Sequence, residues 1–280
     1  MHIKEQRIGV IGLGFVGGAI FKYFKGRGSE VVGYDLYKES SSFTDVLETD
    51  VVFLCLPTMY NEEREEYNKK AIISNCNLLQ TSGYAGIVVI KSTIEPGTTE
   101  RLATRYPLLR LVHNPEFLSA ATAERDFVQQ KHVVLGSPDP LPNATAGFMQ
   151  SFYGYYFPDA ETTICTSNES ELMKMSANAF YAVKIQYFTE IHAMCQHVGA
   201  DFNKVRDMIV KNGWVNPMHT KVPGTDGNVS YGGLCFPKDT SALAQQMKRM
   251  RAPHAVLAAT IVERNTMRSD IENCEASISS

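Results

Sequence analysis

No run of 18 or more apolar residues occurs in the 280-residue sequence, so no membrane span is expected. None of the six cysteines (55, 76, 165, 195, 235 and 274) forms a C-x-x-C pair. A chain this long and this rich in apolar runs needs no disulfide framework, so reduced thiols and a cytoplasmic setting are the expectation. The seven histidines make no H-x-x-x-H or H-E-x-x-H pattern, and no metal site is expected. Lys and Arg number 27 against 30 Asp and Glu, a net charge of −3 without the basic excess of a nucleic-acid binder. Repeats and low-complexity tracts are also missing. Lys4 and Arg7 stand before an apolar stretch at 8–21, loosely like a secretory signal, but glycines at 9, 12, 14, 17 and 18 interrupt it.

Short apolar runs alternate with amphipathic segments through the first half of the chain. Strands are predicted at 8–11, 31–34, 51–56, 87–91, 111–113 and 132–135. Most are continuous in Val and Ile, as a strand buried on both faces of a parallel sheet requires. Helices are predicted between them at 15–25, about 62–79, 98–106 and 143–155. The mixed charges from Asn61 to Glu66 read as a solvated helix face. Strand–helix alternation implies βαβ units and a doubly wound α/β domain.

The character changes near residue 166. One long helix is predicted over 169–198, with Leu172, Met175, Ala179, Phe180, Val183, Tyr187, Ile191, Met194 and Val198 at steps of three or four. Asn168 and Glu171 have capping-box spacing. Further helices are predicted at 201–212, 239–250 and 253–273, the last opening on Pro253. The intervening 212–233 is rich in Gly, Pro and Asn and too long for a plain connector, so it reads as a functional loop. The fold class is therefore α/β: a Rossmann-like doubly wound sheet over 1–166, then an all-helical domain with a long central helix over 167–280.

Gly12-Leu13-Gly14-Phe15-Val16-Gly17 follows an apolar strand and opens a helix. In that context the first glycine permits the tight turn, the second admits a pyrophosphate to the backbone, and the third allows close packing of helix on strand. The helix N-terminus holds the anion. Asp35, 23 residues after Gly12, ends the second strand, where a carboxylate accepts from both ribose hydroxyls and repels a 2′-phosphate. NAD is the expected cofactor, with Lys38 able to soften the preference over NADP.

Lys174 and Asn178 are four apart on the long helix and share a face. A solvent-facing polar pair and a pair that handles a reacting oxygen are both compatible with that spacing. Gly232-Gly233-Leu234-Cys235-Phe236-Pro237-Lys238-Asp239 is more specific. A thiol after a Gly-Gly turn, before a helix and near a lysine is set up to be a thiolate nucleophile. The other five cysteines fit small buried hydrophobes.

With these stretches the chain resembles the UDP-glucose/GDP-mannose dehydrogenase family. The resemblance rests on Gly12 to Gly17 and Asp35, on Lys91-Ser92-Thr93-Ile94-Glu95-Pro96-Gly97-Thr98-Thr99, and on Asn114-Pro115-Glu116-Phe117-Leu118. It continues in Glu171-Leu172-Met173-Lys174-Met175-Ser176-Ala177-Asn178-Ala179-Phe180 and in the cysteine stretch. It implies that Cys235 is the nucleophile, that Lys174 and Asn178 stabilise the oxygen at the sugar C6, and that Asp239 orients Lys174 and water. Thr93 then holds a catalytic water and Glu116 is the carboxylate beside it. Gly12, Gly14, Phe15, Val16, Gly17, Asp35 and Lys38 would bind NAD, with Pro57, Thr58, Ser92, Thr93, Glu100, Cys235 and Lys238 on the nicotinamide side. Glu116, Phe117, Leu118, Lys174 and Asn178 would meet a nucleotide-sugar substrate; Gly232 and Gly233 admit it to the backbone and Tyr231 covers it. The implied reaction is a four-electron oxidation of the C6 alcohol to a uronic acid through a Cys235 thiohemiacetal and thioester, in a homodimer formed by the helical domain.

Two departures from the family pattern stand out. Ala120 occupies the position of a second glutamate four residues after Glu116, a feature shared with a branch acting on N-acetylated sugars. The third, nucleotide-binding domain usual in the family does not follow in this sequence, so base and diphosphate are expected to be held by a dimer partner, by a separate polypeptide, or loosely. Two other readings compete. A β-hydroxyacid dehydrogenase shares the glycine motif and a Lys-x-x-x-Asn helix but transfers one hydride and needs no cysteine. A non-catalytic binding or regulatory subunit is the other.

Overall fold

The computed structural model of the chain describes residues 3–268. It forms two compact units, Met1–Met59 with Tyr67–Lys174, and Tyr60–Glu66 with Met175–Ser280. The division falls inside one helix.

The first unit is built on β1 (Ile8–Ile11), β2 (Val31–Tyr34), β3 (Val51–Leu54), β6 (Ile87–Ile90), β7 (Arg110–His113), β8 (His132–Ser137) and β9 (Glu161–Thr166). They form one seven-stranded sheet in the order β2-β1-β3-β6-β7-β8-β9. Neighbours run parallel except β7 and β8, which pair antiparallel at His113 and Gly136. The order reverses direction between β1 and β3, and such a switch point opens a crevice at the carboxyl ends of the strands.

Successive side chains on the central strands enter opposite cores, which is why the sequence runs are continuously apolar. Ile8, Val10, Val51, Phe53, Ile87 and Val89 join one core with Phe24, Phe127 and Phe152. Ile11, Val52, Leu54, Val88 and Ile90 join the other with Ile72, Leu79 and Leu102. Helices α1 (Phe15–Gly26), α2 (Phe43–Leu47), α3 (Lys70–Thr81), α4 (Thr98–Arg105), α5 (Ala123–Val128) and α6 (Ala144–Tyr156) supply those layers. Asn143 caps α6 by accepting from the Ala146 N–H at 2.9 Å.

Several expectations are corrected. The helix predicted over about 62–79 begins only at Lys70. The charged run before it is a turn between the short strands β4 (Tyr60–Asn61) and β5 (Glu66–Tyr67). Asn61 Oδ1 accepts from the Arg64 N–H at 2.7 Å, and Glu65 has φ 53°, a local geometry incompatible with continued helix. Strand β9 escapes the sequence reading. It is a half-exposed, Thr-rich edge strand whose pairing comes wholly from β8. The capping box expected of Asn168 and Glu171 is made two residues earlier. Glu169 accepts from the Thr166 N–H and hydroxyl at 2.8 Å each, and Thr166 Oγ1 accepts from the Glu169 N–H at 3.3 Å.

The second unit comprises helices α7 (Ser167–Val198) from Met175 onward, α8 (Phe202–Lys211), α9 (Phe236–Arg249) and α10 (Ala255–Met267), with the segment 60–66. Asp201 caps α8. Phe188, Cys195 and Phe202 form its small core with Ile191, Val205 and Ile209. Of the stripe read along α7, Met175 and Ala179 are buried, whereas Leu172, Phe180, Tyr187, Met194 and Val198 are exposed. The last predicted helix runs to Asn273, and its end beyond residue 268 lies outside the described residues. No described helix is long and apolar enough to cross a membrane.

Candidate functional site

The turn after β1 is shaped by its glycines. Gly12 has φ +89°, and a Cβ there would lie 2.4 Å from the Cys55 carbonyl oxygen. A Cβ on Gly17 would lie 1.8 Å from the Gly12 oxygen, so α1 can approach the turn only without that carbon. A Cβ on Gly14 would meet no atom within 4 Å. Gly14 is the N-cap of α1 and provides no side-chain acceptor, which leaves the first N–H groups of α1 open to an anion. Phe15 is exposed and Val16 half-buried.

Asp35 and Lys38 bracket the middle of the turn. Asp35 Oδ2 accepts from the Leu13 N–H at 2.7 Å and its Oδ1 from the Tyr37 N–H at 2.9 Å. Lys38 Nζ donates to the Leu13 carbonyl at 2.6 Å. An uncapped helix start, an open Gly14 and a carboxylate at the end of β2 fit a dinucleotide.

The ends of β3 and β6 are stitched by hydroxyls. Ser92 Oγ donates to the Leu56 carbonyl at 2.7 Å and accepts the Leu56 N–H at 3.0 Å, and Thr58 donates to the Thr93 carbonyl at 2.8 Å. Thr58, Ser92 and Thr93 are buried, while Pro57 is exposed. Glu100, on the first turn of α4, accepts from Asn168 Nδ2 at 2.7 Å.

Glu116 and Lys174 meet as a buried ion pair in the first unit, Nζ to Oε1 3.2 Å, with side chains 12% and 4% exposed. Glu116 Oε2 also accepts from the Leu118 N–H at 2.5 Å, and the Lys174 ammonium lies 5.3 Å from the centre of the Phe117 ring. The solvent-facing reading of Lys174 and Asn178 is therefore wrong, since both are buried. Ala120, four residues on, is exposed.

In the second unit, Asn178 Nδ2 donates to Asp239 Oδ2 at 2.6 Å, and Lys238 Nζ pairs with Asp239 Oδ1 at 2.5 Å. Asp239 is fully buried on the first turn of α9. Cys235 is the N-cap of that helix, exposed and not in a disulfide, and the Asp239 N–H donates to its carbonyl at 3.0 Å. Gly233 precedes it with φ +76° and open space at its Cβ position.

The loop leading to Cys235 is tied down along its length. Ser230 donates to Gln186 Oε1 at 2.5 Å and its N–H to Thr189 Oγ1 at 3.0 Å. Arg264 Nε donates to the Tyr231 carbonyl at 3.1 Å, with its guanidinium 5.7 Å from that ring's centre. Arg268 pairs with Asp226 at 2.8 Å and occupies the space beside Gly232, where a Cβ would meet its Nη2 at 2.3 Å. Tyr231 is buried beneath these groups. Tyr181, His219 and Phe236 form a ring cluster next to the cysteine, with centroids 4.8–6.2 Å apart.

The sequence reading gave no role to the polar groups beneath the first-unit pair, although Lys91 and Asn114 open two of the stretches that carry the family resemblance. Lys91, His113, Asn114, Tyr153 and Ser170 are brought together from β6, β7, α6 and α7, with no common spacing that could have signalled them. Burial pulls the His113 imidazole down to about 3, so it is neutral at working pH. Glu171, expected in a cap, instead reaches α4. It accepts from the Thr99 N–H at 2.8 Å, the Thr99 hydroxyl at 2.5 Å and the Thr98 N–H at 3.3 Å, anchoring α7 one turn before Lys174.

Burial pushes the Glu171 carboxyl up to about 7, against the donors from Thr99, Gly97 and Thr98. Between the ordinary value of 4.5 and about 7, the folded protein holds a proton that the unfolded chain releases. The contribution is fully present below pH 4.5 and lost as pH rises through 7. His113 runs the other way, contributing above its ordinary 6.5 and losing that contribution as pH falls. The difference between variants therefore isolates Glu171. From pH 5 to 8, Glu171→Gln should gain about 2.5 kcal/mol on the wild type in denaturant unfolding. A pH-independent difference would refute the assignment.

The comparisons with known proteins agree with this layout. Residues 37–154 match the model of the UDP-glucose/GDP-mannose dehydrogenase family, NAD binding domain, and residues 168–266 match that family's central domain. The UDP-glucose 6-dehydrogenase TuaD of Bacillus subtilis (strain 168) is 31% identical over 198 residues, covering 68% of this chain and 40% of that one. The chain spans about half the length of the curated relatives it matches. A UDP-glucose dehydrogenase structure from Pyrobaculum islandicum superposes with a TM-score of 0.81 at 23% identity, covering 94% of this chain and 68% of that one. The 3-hydroxyisobutyrate dehydrogenase of Mycobacterium tuberculosis shares the fold at a TM-score of 0.69 and 15% identity, covering 92% of this chain and 91% of that one. A Rossmann-like sheet with a glycine-rich turn, an ammonium and an amide one turn apart on a long helix, and a cysteine at the start of the next-but-one helix are thus found in a chain that belongs to the UDP-glucose/GDP-mannose dehydrogenase family.

Proposed function

We propose that the chain is an NAD-dependent nucleotide-sugar 6-dehydrogenase that oxidises a C6 alcohol to a carboxylate through Cys235. Residues 1–166 would form the NAD-binding domain, and 167–280 the helical substrate and dimerisation domain. The observation that carries the reading is the placement of Cys235. It is an exposed thiol at the N-cap of α9, after an open Gly233 and one turn before a buried Asp239 held by Asn178 and Lys238. The shared fold of a hydroxyacid-type dehydrogenase does not ask for such a cysteine, so the side chain separates two readings that share a fold.

When bound, NAD accepts one hydride in each of two oxidations. A base takes the proton of the C6 hydroxyl as the first hydride leaves, giving an aldehyde. Cys235 sulfur then bonds to the aldehyde carbon, its proton passing to the carbonyl oxygen, which becomes the thiohemiacetal hydroxyl and is stabilised by Lys174 and Asn178. Loss of the second hydride and of the hydroxyl proton leaves a thioester. Thr93 holds a water whose oxygen bonds to the acyl carbon as Glu116 takes one of its protons; the C–S bond breaks, the sugar acid is released and Cys235 leaves as a thiolate. With Ala120 in place of a second carboxylate, Glu116 carries this hydrolysis alone, where a general base contributes about 10²–10⁴-fold.

The exposed Leu172, Phe180, Tyr187, Met194 and Val198 along α7 support a homodimer through the helical domain. The deciding experiment is turnover with NAD across UDP-glucose, GDP-mannose and UDP-N-acetyl sugars. Two NADH per sugar acid are expected. One NADH per substrate would favour the hydroxyacid-type reaction, and no NADH with any sugar a binding subunit.

A further inference from the structure

A second buried lysine stands beneath the Glu116–Lys174 pair. Lys91 follows β6, its N–H continuing the ladder to the Leu54 carbonyl at 2.9 Å, and it is 3% exposed. Its Nζ donates to Asn114 Oδ1 at 2.8 Å and to the Pro115 carbonyl at 3.3 Å. Asn114 is itself fixed: its Nδ2 donates to the Val134 carbonyl at 2.7 Å, its N–H to the Ile90 carbonyl at 2.9 Å, and its Oδ1 also accepts the Tyr153 hydroxyl. Lys91 therefore holds both residues that immediately precede Glu116, through two neutral oxygens. An ammonium makes such bonds about twice as strong as a neutral donor does, so the grip depends on its proton.

We propose that Lys91 is a positioning residue whose ammonium, clamping Asn114 and Pro115, holds the Glu116 carboxylate against Lys174. This rests on the reading of Glu116 and Lys174 as reaction groups. The charged and titratable groups facing Lys91 are Cys55 beyond β3, His113 on β7, Glu116, Tyr153 on α6 and Lys174 on α7. Burial pulls the Lys91 ammonium down to about 8; Cys55 and Glu116 oppose this, and Lys174 adds to it. Cys55 gives little counter-charge near neutrality, because burial pushes its thiol up to about 12. The clamp therefore releases a proton within the working pH range.

Two measurements test it. In kinetics with NAD and the sugar that turns over, Lys91→Met should lower kcat about 10–100-fold with little change in KM for NAD, as expected of a misplaced reacting group. The wild-type decline in kcat above pH about 8 should vanish in that variant, and ethylammonium should restore part of the activity of Lys91→Ala. An unchanged kcat, or a limb near pH 8 that persists without Lys91, would overturn the proposal. The second measurement needs neither turnover nor a folded variant. In wild-type protein with ¹³C-labelled glutamate, the Glu116 carboxyl resonance should step with the Lys91 titration between pH 7 and 9. A flat resonance would overturn the clamp, while a step in a chain that oxidises no sugar would leave the clamp standing and remove the proposed function.

Discussion

Cys235→Ala should abolish sugar-acid formation, a loss of at least about 10³-fold, while NAD binding persists. The Cys235 sulfur is the atom on which the aldehyde would be captured, and no other cysteine among the described residues is equivalent. Cys76 and Cys195 are buried, and burial pushes the Cys55 and Cys76 thiols up to about 12. Cys165 lies on the edge strand β9, where burial also raises its thiol. Alanine removes only an exposed thiol at the N-cap of α9 and should leave the fold nearly intact. The first hydride transfer does not involve sulfur, so the variant should release at most one NADH per sugar. Acid made at the wild-type rate by Cys235→Ala would remove the covalent mechanism.

Lys174→Met should lower kcat by about 10²–10³-fold, the range expected when a charged donor to a developing oxyanion is removed. The same change should also destabilise the protein by about 3–5 kcal/mol, because Glu116 would remain as a buried carboxylate without its cation. The double variant Lys174→Met/Glu116→Gln separates the two effects. It removes both charges from the buried pair and should recover most of the stability while remaining inactive. Urea unfolding and NADH production on the same samples make the comparison. Recovery of activity along with stability would show that Lys174 serves the fold rather than the reaction.

The parts of the molecule that were legible in the sequence are those in which neighbouring residues decide the outcome. Continuous Val and Ile runs marked β1, β3 and β6 because both faces of those strands are buried, and the glycines marked the turn because only they admit φ near +90° and a 1.8 Å approach at a Cβ position. Cys235 stood out from the other cysteines because its neighbours are Gly, Pro and charge. Where helical spacing misled, at Asn61 to Glu66, a local Asn61–Arg64 bond outcompeted a weak pattern of mixed charges.

Tertiary structure alone decided which distant groups meet. The sheet order brings Lys91 to Asn114 and Pro115, α7 sets Lys174 on Glu116 and Glu171 on the start of α4, and α9 sets Asp239 on Asn178. Strand β9 likewise exists only because β8 offers it a partner. Spacing along the chain reports which residues share a helix face or strand face. It holds no information on which faces are brought together by burial, and it is in those buried junctions that a carboxyl rises to about 7 and an ammonium falls to about 8.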